Sequence, residues 1–484
     1  MPRKSPEDDD RILPFPVAPV SNMEWMPSGI TPKQRLAAKL IREETEARAK
    51  RHGMTRGQFL RTAAATATAF MVLNKINGVD QDGDAAAMPI RREHCDDLDA
   101  GRELLDRKLF VMDVQQHHVD SKRFPGTEFC FLAFTRELRQ ECLADGASAA
   151  IGDLQFVREV FINSETDVGV ISGLPYGLPM GPDAMAATRD RVNRLAGSER
   201  ALSQAIIDPK APPGSMTSLD TFEYQVKTLG GRALKCYTYS YDGWFLDDEK
   251  IAYPMLEKAQ QLGLRLVNVH KGLPATFAPG SEQSVRAIDF PKVVRDFPKL
   301  KFCAYHSGWF EPGTHPEGKE ENSEFLEIVQ AMPKKHRKRV YAEVGSTFAI
   351  KLLQGPDALA HYMGQLLKTF GSRNILWGTD SIWWGSPQFL IDAFKNLQIP
   401  APMREKYGYP QLTEKAKRRI LGENAARLYG VKPRKERCTI NADALAQEQL
   451  AQGGPRPGRT LRWYGPQTRR EFFAMWRREK QLAG

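Results

Sequence analysis

From Leu109 onwards the chain repeats one pattern: a short apolar run, a turn, a segment with apolar residues three and four positions apart, then the next apolar run. The runs are 109–114, 168–172, 202–207, 233–236, 264–269, 301–305, 340–343 and 375–377. After the first gap they recur about every 30–40 residues, and helix-like segments such as 252–262, 285–297 and 356–370 lie between them. Apolar runs of this length read as strands buried on both faces. Eight of them at βα spacing predict a closed parallel barrel. A doubly wound open sheet is the alternative, but no GxGxxG loop follows any run. The long first gap, 120–161, predicts an insertion above or beside the barrel.

Ahead of the barrel the pattern changes. Residues 3–20 are rich in Pro and Asp and are expected to be disordered or extended. Thr31-Pro32 is a helix start, with Thr as N-cap and Pro at the first helical position. The following 35–51 predicts a charged helix with Leu36, Leu40 and Ile41 on one face. Thr55-Arg-Gly-Gln-Phe-Leu-Arg61 before the Ala/Thr-rich stretch 62–73 resembles a twin-arginine export signal, with Gly57 where the second arginine belongs. More than fifty residues precede it, whereas export signals are normally N-terminal. The expectation is a retained helix packed on the barrel or on a partner, in a cytoplasmic protein. The chain thus divides into an N-terminal extension (1–104), a barrel (105–430) and a C-terminal tail (431–484).

Composition narrows the class. With 41% hydrophobic and 26% charged residues the chain is globular, and no stretch reaches the roughly 18 unbroken apolar residues of a membrane span. Cys95, Cys130, Cys142, Cys236, Cys303 and Cys438 form no CxxC pair and read as buried free thiols. The tail from Val431 holds 12 Lys or Arg against 5 Asp or Glu, so +7 of the net +10 lies there. Trp463, Tyr464, Phe472, Phe473 and Trp476 accompany it, but no nucleic-acid motif does. Docking on a partner subunit, as a homo- or hetero-oligomer through arm and tail, is the expected use of such a segment.

The chemistry sits at strand ends. Val111-Met-Asp-Val-Gln-Gln-His-His118, Val267-Asn-Val-His-Lys271, Phe302-Cys-Ala-Tyr-His306 and Ile375-Leu-Trp-Gly-Thr-Asp380 are apolar runs that emerge into His or Asp. In a parallel barrel those tips form the mouth where catalysis sits, and imidazoles with a carboxylate there can hold a divalent metal. Strand alternation puts Asp113, Gln115 and His117 on one face and turns His118 elsewhere. Glu343 ends the seventh run and aims a further carboxylate at the mouth. Lys235 and Lys271 could orient a carboxylate, bridge two metals if carbamylated, or pair with Asp380 or Glu343. Trp309 and Trp383-Trp384 either wall the mouth or pack under loops, and Trp244 reads as structural. His52, His94, His315, His336 and His361 carry no ligand spacing and read as surface residues.

Gln115-Gln-His117, His270, His306 and Thr379-Asp380 resemble the motifs of the amidohydrolase superfamily. The branch is the one containing pyrone-dicarboxylate lactonases and the decarboxylases of aminocarboxymuconate semialdehyde and resorcylate. Ile420-Leu-Gly-Glu-Asn-Ala-Ala-Arg-Leu-Tyr-Gly430, Trp377-Gly-Thr-Asp380 and Glu165-Thr-Asp-Val-Gly-Val-Ile-Ser172 also look like segments of that branch. The likeness covers roughly 109–430. It implies a distorted (β/α)8 TIM barrel, an α/β fold, with one or two divalent metals at its C-terminal face. His117 matches the second member of the first-strand His-x-His pair, His270 and His306 the fifth- and sixth-strand histidines, and Asp380 the eighth-strand ligand and acid/base.

Gln115 departs from the pattern, because the family carries His or Glu there and an amide is a poor, uncharged ligand. Either fewer charges hold the metal, or His118 and Glu343 join in a shifted or two-metal site, or the subunit is catalytically degenerate. The residues carried forward as metal ligands are therefore Gln115, His117, His118, His270, His306, Glu343 and Asp380. Asp380, His306 and Lys271 are carried forward as catalytic. The implied activity is metal-dependent hydrolysis or decarboxylation of a small carboxylated substrate, with zinc, or iron or manganese, as one or two ions. The alternatives are a dinuclear iron or manganese monooxygenase on the same fold and a non-catalytic partner subunit.

Overall fold

The computed structural model describes residues 12–22, 24–78, 83–120, 152–177, 180–275, 280–433, 442–461 and 463–473. The eight expected apolar runs all become parallel strands. They are β1 (Met112–Gln116), β2 (Val168–Ile171), β3 in two pieces (Ala201–Ser203 and Ala205–Ile206), β4 (Leu234–Tyr237), β5 (Leu266–Gly272), β6 (Lys301–Trp309), β7 (Val340–Glu343) and β8 (Ile375–Leu376). The first piece of β3 pairs with β2 and the second with β4, so the strand passes the sheet on without a break.

The barrel closes between β8 and β1. Val114 N donates to Trp377 O at 3.0 Å, Asp380 N donates to Gln115 O at 2.9 Å, and Gln116 bridges Ser381. Every strand therefore has a neighbour on both sides, which removes the edges an open sheet would leave. Helices Pro182–Ala196, Tyr253–Gln261, Phe290–Asp296, Ser323–Ala331 and Pro356–Phe370 lie between successive strands.

Met112, Val114, Val170, Leu202, Leu266, Cys303, Tyr305, Tyr341 and Leu376 fill the barrel interior together with Ala425, Ala426 and Tyr429 of the helix Asn424–Tyr429, which plugs its floor. Above them Gln204 Nε2 donates to Tyr305 Oη (2.8 Å) and Tyr429 Oη (3.1 Å), and Asn268 Nδ2 donates to Tyr429 Oη (3.1 Å). This polar layer gives the buried hydroxyls of Tyr305 and Tyr429 their donors and separates the floor from the mouth.

One register irregularity matters for the site. Between Asp113 and Gln116 of β1, three steps along the strand face two on β2, as in a β-bulge. Met112 and Val114 belong to the barrel interior, so Asp113 alternates away from it. It accepts from Thr379 N at 3.1 Å, Gln115 N at 3.0 Å and the Thr379 hydroxyl, lacing β1 to the chain beyond β8. The shared face expected for Asp113, Gln115 and His117 is thereby corrected: the bulge resets the alternation, and Gln115 and His117 face the mouth without Asp113.

In the N-terminal extension the expected helices form, and the difference lies in the segment ahead of them. The helix Pro32–Arg51 starts at Thr31 with a capping box, and the Ala/Thr-rich segment is the buried helix Ala63–Ile76. No helix among the described residues is long and apolar enough to cross a membrane. The described part of the segment expected to be disordered or extended, from Ile12 on, carries no helix or strand yet is packed inside the protein. Leu13, Phe15, Val17, Ala18 and Val20 are buried, and Phe15 stacks on Phe389 with ring centroids 5.1 Å apart. The basic tail likewise folds on its own barrel: Asp443 pairs with Arg200 at 3.0 Å, and Arg456 pairs with Asp392 at 2.5 Å and with Asp106. Cys95, Cys236 and Cys303 are buried free thiols. Cys130, Cys142, Cys438, Trp476 and most of the insertion lie outside the described residues.

Candidate metal centre

The tips of β1, β5, β6 and the chain after β8 bring His117, His270, His306 and Asp380 into one fully buried cluster. His306 and Asp380 both have positive φ (63° and 60°), an unfavourable conformation for residues with a Cβ. Glu343 holds the first of these: its Oε2 accepts His306 N at 3.1 Å and its Oε1 accepts Gly345 N at 2.6 Å. Two glycines make room for this. A Cβ on Gly378 would lie 1.9 Å from Glu343 Oε1, and one on Gly345 would lie 2.6 Å from His306 Nδ1. Burial pushes the Glu343 carboxyl well above the usual range.

Hydrogen bonds decide which nitrogen each imidazole presents, because a carbonyl oxygen only accepts. His117 donates Nδ1–H to Ser172 O (2.6 Å), which leaves Nε2 facing Asp380 Oδ1 at 3.2 Å. His270 donates Nε2–H to Leu273 O (3.0 Å), which leaves Nδ1 facing a carboxylate oxygen of Glu24 at 3.4 Å. Burial lowers the pKa of His270, and burial together with the neighbouring His270 ring lowers that of His306 much further. Both are therefore neutral imidazoles, the ligand form for a divalent metal.

Asp380 is held from several sides. Asn22 Nδ2 (2.8 Å) and Ser346 Oγ (2.5 Å) donate to its Oδ2, and Gln115 Nε2 (3.2 Å) donates to Oδ1. Burial alone would raise its pKa, but its contacts with the His117 and His306 rings and the Ser346 hydroxyl bring it down to about 2. Gln115 Nε2 also lies 3.3 Å from His306 Nε2. The residue that breaks the motif thus sits inside the cluster, between an imidazole and the carboxylate.

Two residues in the cluster come from outside the barrel. Asn22 and Glu24 belong to the N-terminal arm, which lies across the mouth. Glu24 Oε2 is 3.4 Å from His270 Nδ1, 3.8 Å from His306 Nε2, and accepts from Asn22 Nδ2 at 2.6 Å. Glu24, His270 and His306 offer three ligand atoms within 4.8 Å of one another. Neither arm residue stands in a periodic pattern. The sequence hint was the apolar spacing of Leu13, Phe15, Val17 and Val20, too apolar for a solvated tail.

Other sequence candidates stand apart. His118 donates Nδ1–H to Val119 O (2.8 Å) and faces Thr188 Oγ1 with Nε2 (2.8 Å), on the outer side of β1. The carboxylate oxygens of Glu343 are both engaged by backbone N–H groups. Lys271 is corrected from mouth to scaffold: its Nζ bonds Asp289 Oδ2 (2.7 Å), Arg286 O (2.7 Å) and Ser284 O (3.0 Å). Lys235 is at the centre. Its Nζ lies 3.9 Å from the Tyr305 ring centroid and 4.3 Å from that of Tyr237, with no hydrogen-bond partner among the described residues, and burial lowers its pKa.

Trp384 Nε1 donates to Ser346 Oγ at 3.3 Å, one step from Asp380, whereas Trp309 packs beneath Lys351 at 5.7 Å. Trp244 is buried, as its structural reading requires. His94 and His315 are buried rather than on the surface. His94 accepts from Arg91 N at 3.0 Å, and His315 faces Glu324 at 3.3 Å.

A divalent cation fits this donor set. Neutral His270 turns a lone pair toward the Glu24 oxygen at 3.4 Å, longer than the roughly 2.7–2.9 Å of a charge-assisted hydrogen bond. Two donor atoms of a tetrahedral metal with bonds near 2.0–2.1 Å stand about 3.4 Å apart. Among the described residues His306 Nδ1 and His117 Nε2 also lack a hydrogen-bond partner, although both are buried.

Comparison with solved structures finds similar chains. An uncharacterized TIM-barrel protein from Bordetella bronchiseptica has 16% identity and a TM-score of 0.42 over 66% of this chain and 99% of its own. The 5-carboxyvanillate decarboxylase of Sphingomonas paucimobilis has 13% identity and 0.42 over 67% and 100%. The 4-oxalomesaconate hydratase of Rhodopseudomonas palustris has 17% identity and 0.40 over 71% and 100%. No curated protein matches the sequence. The amidohydrolase family model matches residues 184–431, just over half of the 484 residues, and the chain belongs to that family.

Proposed function

We propose that the protein is a metal-dependent enzyme that hydrolyses or decarboxylates a small carboxylated substrate at the mouth of its barrel. The observation that carries this reading is the pair of buried neutral imidazoles, His270 and His306, gathered with His117 against the carboxylates of Glu24 and Asp380. His117, His270, His306 and Asp380 would hold the cation. Bound there, a divalent metal supplies Lewis acidity to a carbonyl or carboxylate oxygen of the substrate.

The side chains divide the remaining work. Asp380, with a pKa near 2, is ionised at neutral pH. Asn22 and Ser346 both donate to its Oδ2, and Gln115 donates at the longer 3.2 Å to Oδ1, so Oδ1 is the oxygen better placed to take up and return a proton. His117, locked by Ser172 O, keeps its Nε2 against that same Oδ1. Lys235 Nζ, without a hydrogen-bond partner, offers a cationic contact for a substrate carboxylate. The rings of Tyr237 and Tyr305 exclude water around it.

The two-metal monooxygenase reading needs His118 and Glu343 as further ligands, and the bonds both already make favour the single-site chemistry. The test is a panel of carboxylated aromatic acids and small lactones, assayed for carbon dioxide or acid release with the metal-loaded and the chelator-stripped protein. Turnover that disappears on stripping is expected. Oxygen uptake by the loaded protein, with no release from any panel member, would contradict the proposal.

A further inference from the structure

We propose that Glu24, delivered by the N-terminal arm, is itself a ligand of the metal, replacing the charge that Gln115 fails to supply from β1. The inference rests on the metal reading above. Three observations support it. Glu24 is 2% exposed, and its Oε2 groups with His270 Nδ1 and His306 Nε2 inside 4.8 Å. Its nearest imidazole presents a lone pair, not a proton, so the contact is repulsive until a cation lies between the two atoms. Gln115 turns its amide nitrogen to His306 and Asp380, and this neutral donor leaves the first-strand position without a negative charge.

The arm is anchored by contacts of its own, so the carboxylate is presented rather than merely tethered. Phe15 stacks on Phe389, Ser21 N donates to Pro466 O at 2.8 Å, and Gln467 Nε2 donates to Ala18 O at 2.9 Å. Asn22 Oδ1 accepts Glu24 N at 3.0 Å, which holds the turn that aims the side chain. A carboxylate with two imidazoles suits borderline divalent ions such as zinc, cobalt or iron. On this account the extension is part of the active site, and metal loading and arm docking stabilise each other.

The experiment uses the full chain, stripped with chelator and titrated with Co2+ alone. It is read as visible d–d absorption and as cobalt retained after gel filtration, for wild type, E24Q, E24D and H270A. Loss of even an outer-shell partner costs about 10–100-fold in metal affinity, so E24Q is expected to weaken Co2+ binding at least about tenfold and to change the band. E24D keeps the charge and carries the test if E24Q does not fold; its affinity must also fall. Wild-type affinity and spectrum in a folded Glu24 variant, with binding lost in H270A, overturn the arm ligand and leave the metal reading standing. Wild-type protein that binds no cobalt overturns both.

Discussion

Asn22 Nδ2 donates to Asp380 Oδ2 at 2.8 Å across 358 positions of the chain, and the same nitrogen donates to Glu24 Oε2 at 2.6 Å. One amide from the N-terminal arm thus sits between a carboxylate of its own segment and the carboxylate after β8. Removing it leaves two buried anions with fewer donors, each a penalty of about 1–3 kcal/mol. Asn22→Ala is expected to destabilise the protein by that order in denaturant unfolding and to expose the arm to limited proteolysis. An arm as resistant as in wild type would contradict the bridging role.

His118 was legible as a ligand by residue type and turns out to bond Val119 and Thr188. His118→Gln is expected to leave the bound metal per chain unchanged and to cost about 1 kcal/mol of stability, read by elemental analysis and thermal melting of the same sample. Loss of metal would return His118 to the site.

Lys271 and Asp289 form a fully buried ion pair at 2.7 Å. Breaking such a pair from one side costs about 3–5 kcal/mol, whereas replacing both partners by apolar groups is often close to neutral. Lys271→Met is therefore expected to lower the unfolding free energy by that amount, and Lys271→Met with Asp289→Leu to recover most of it. A catalytic lysine would show no such recovery of activity, so the double variant separates scaffold from chemistry.

Asp208 lies just beyond β3, accepts Lys210 N at 3.0 Å, and is pushed by burial to a pKa of about 6. The folded state holds its proton more tightly than the unfolded chain, so this group favours folding below about pH 4. That contribution disappears as pH rises through 6. Asp208→Asn removes the titration. It is expected to change stability little near pH 4 and to raise it by up to about 3 kcal/mol above pH 7. The check is unfolding free energy across that range, and a pH-independent difference would contradict it.

The barrel was legible because all eight strands are buried on both faces, and continuous apolar runs at βα spacing allow few other folds. His117, His270, His306 and Asp380 were legible for the same reason: a polar side chain ending such a run has to face the mouth. The parity of β1 was not, since nothing in Val111-Met-Asp-Val-Gln-Gln marks a one-residue bulge, and the bulge moves Asp113 off the shared face. Lys271 was misplaced because its partner Asp289 lies on a separate segment after β5, where strand periodicity says nothing. Glu24 and Asn22 were invisible because an extended segment that threads over a barrel has no period of its own, and only long-range packing decides where it lies.

On the reading proposed above, buried imidazoles and carboxylates at the barrel mouth hold a metal. Elemental analysis of the wild-type protein beside His270→Ala and His306→Ala, each expressed with added metal, tests it most directly. About one divalent ion per wild-type chain is expected, and little in either variant. Wild-type protein that holds no metal, or variants that hold as much as wild type, would contradict it.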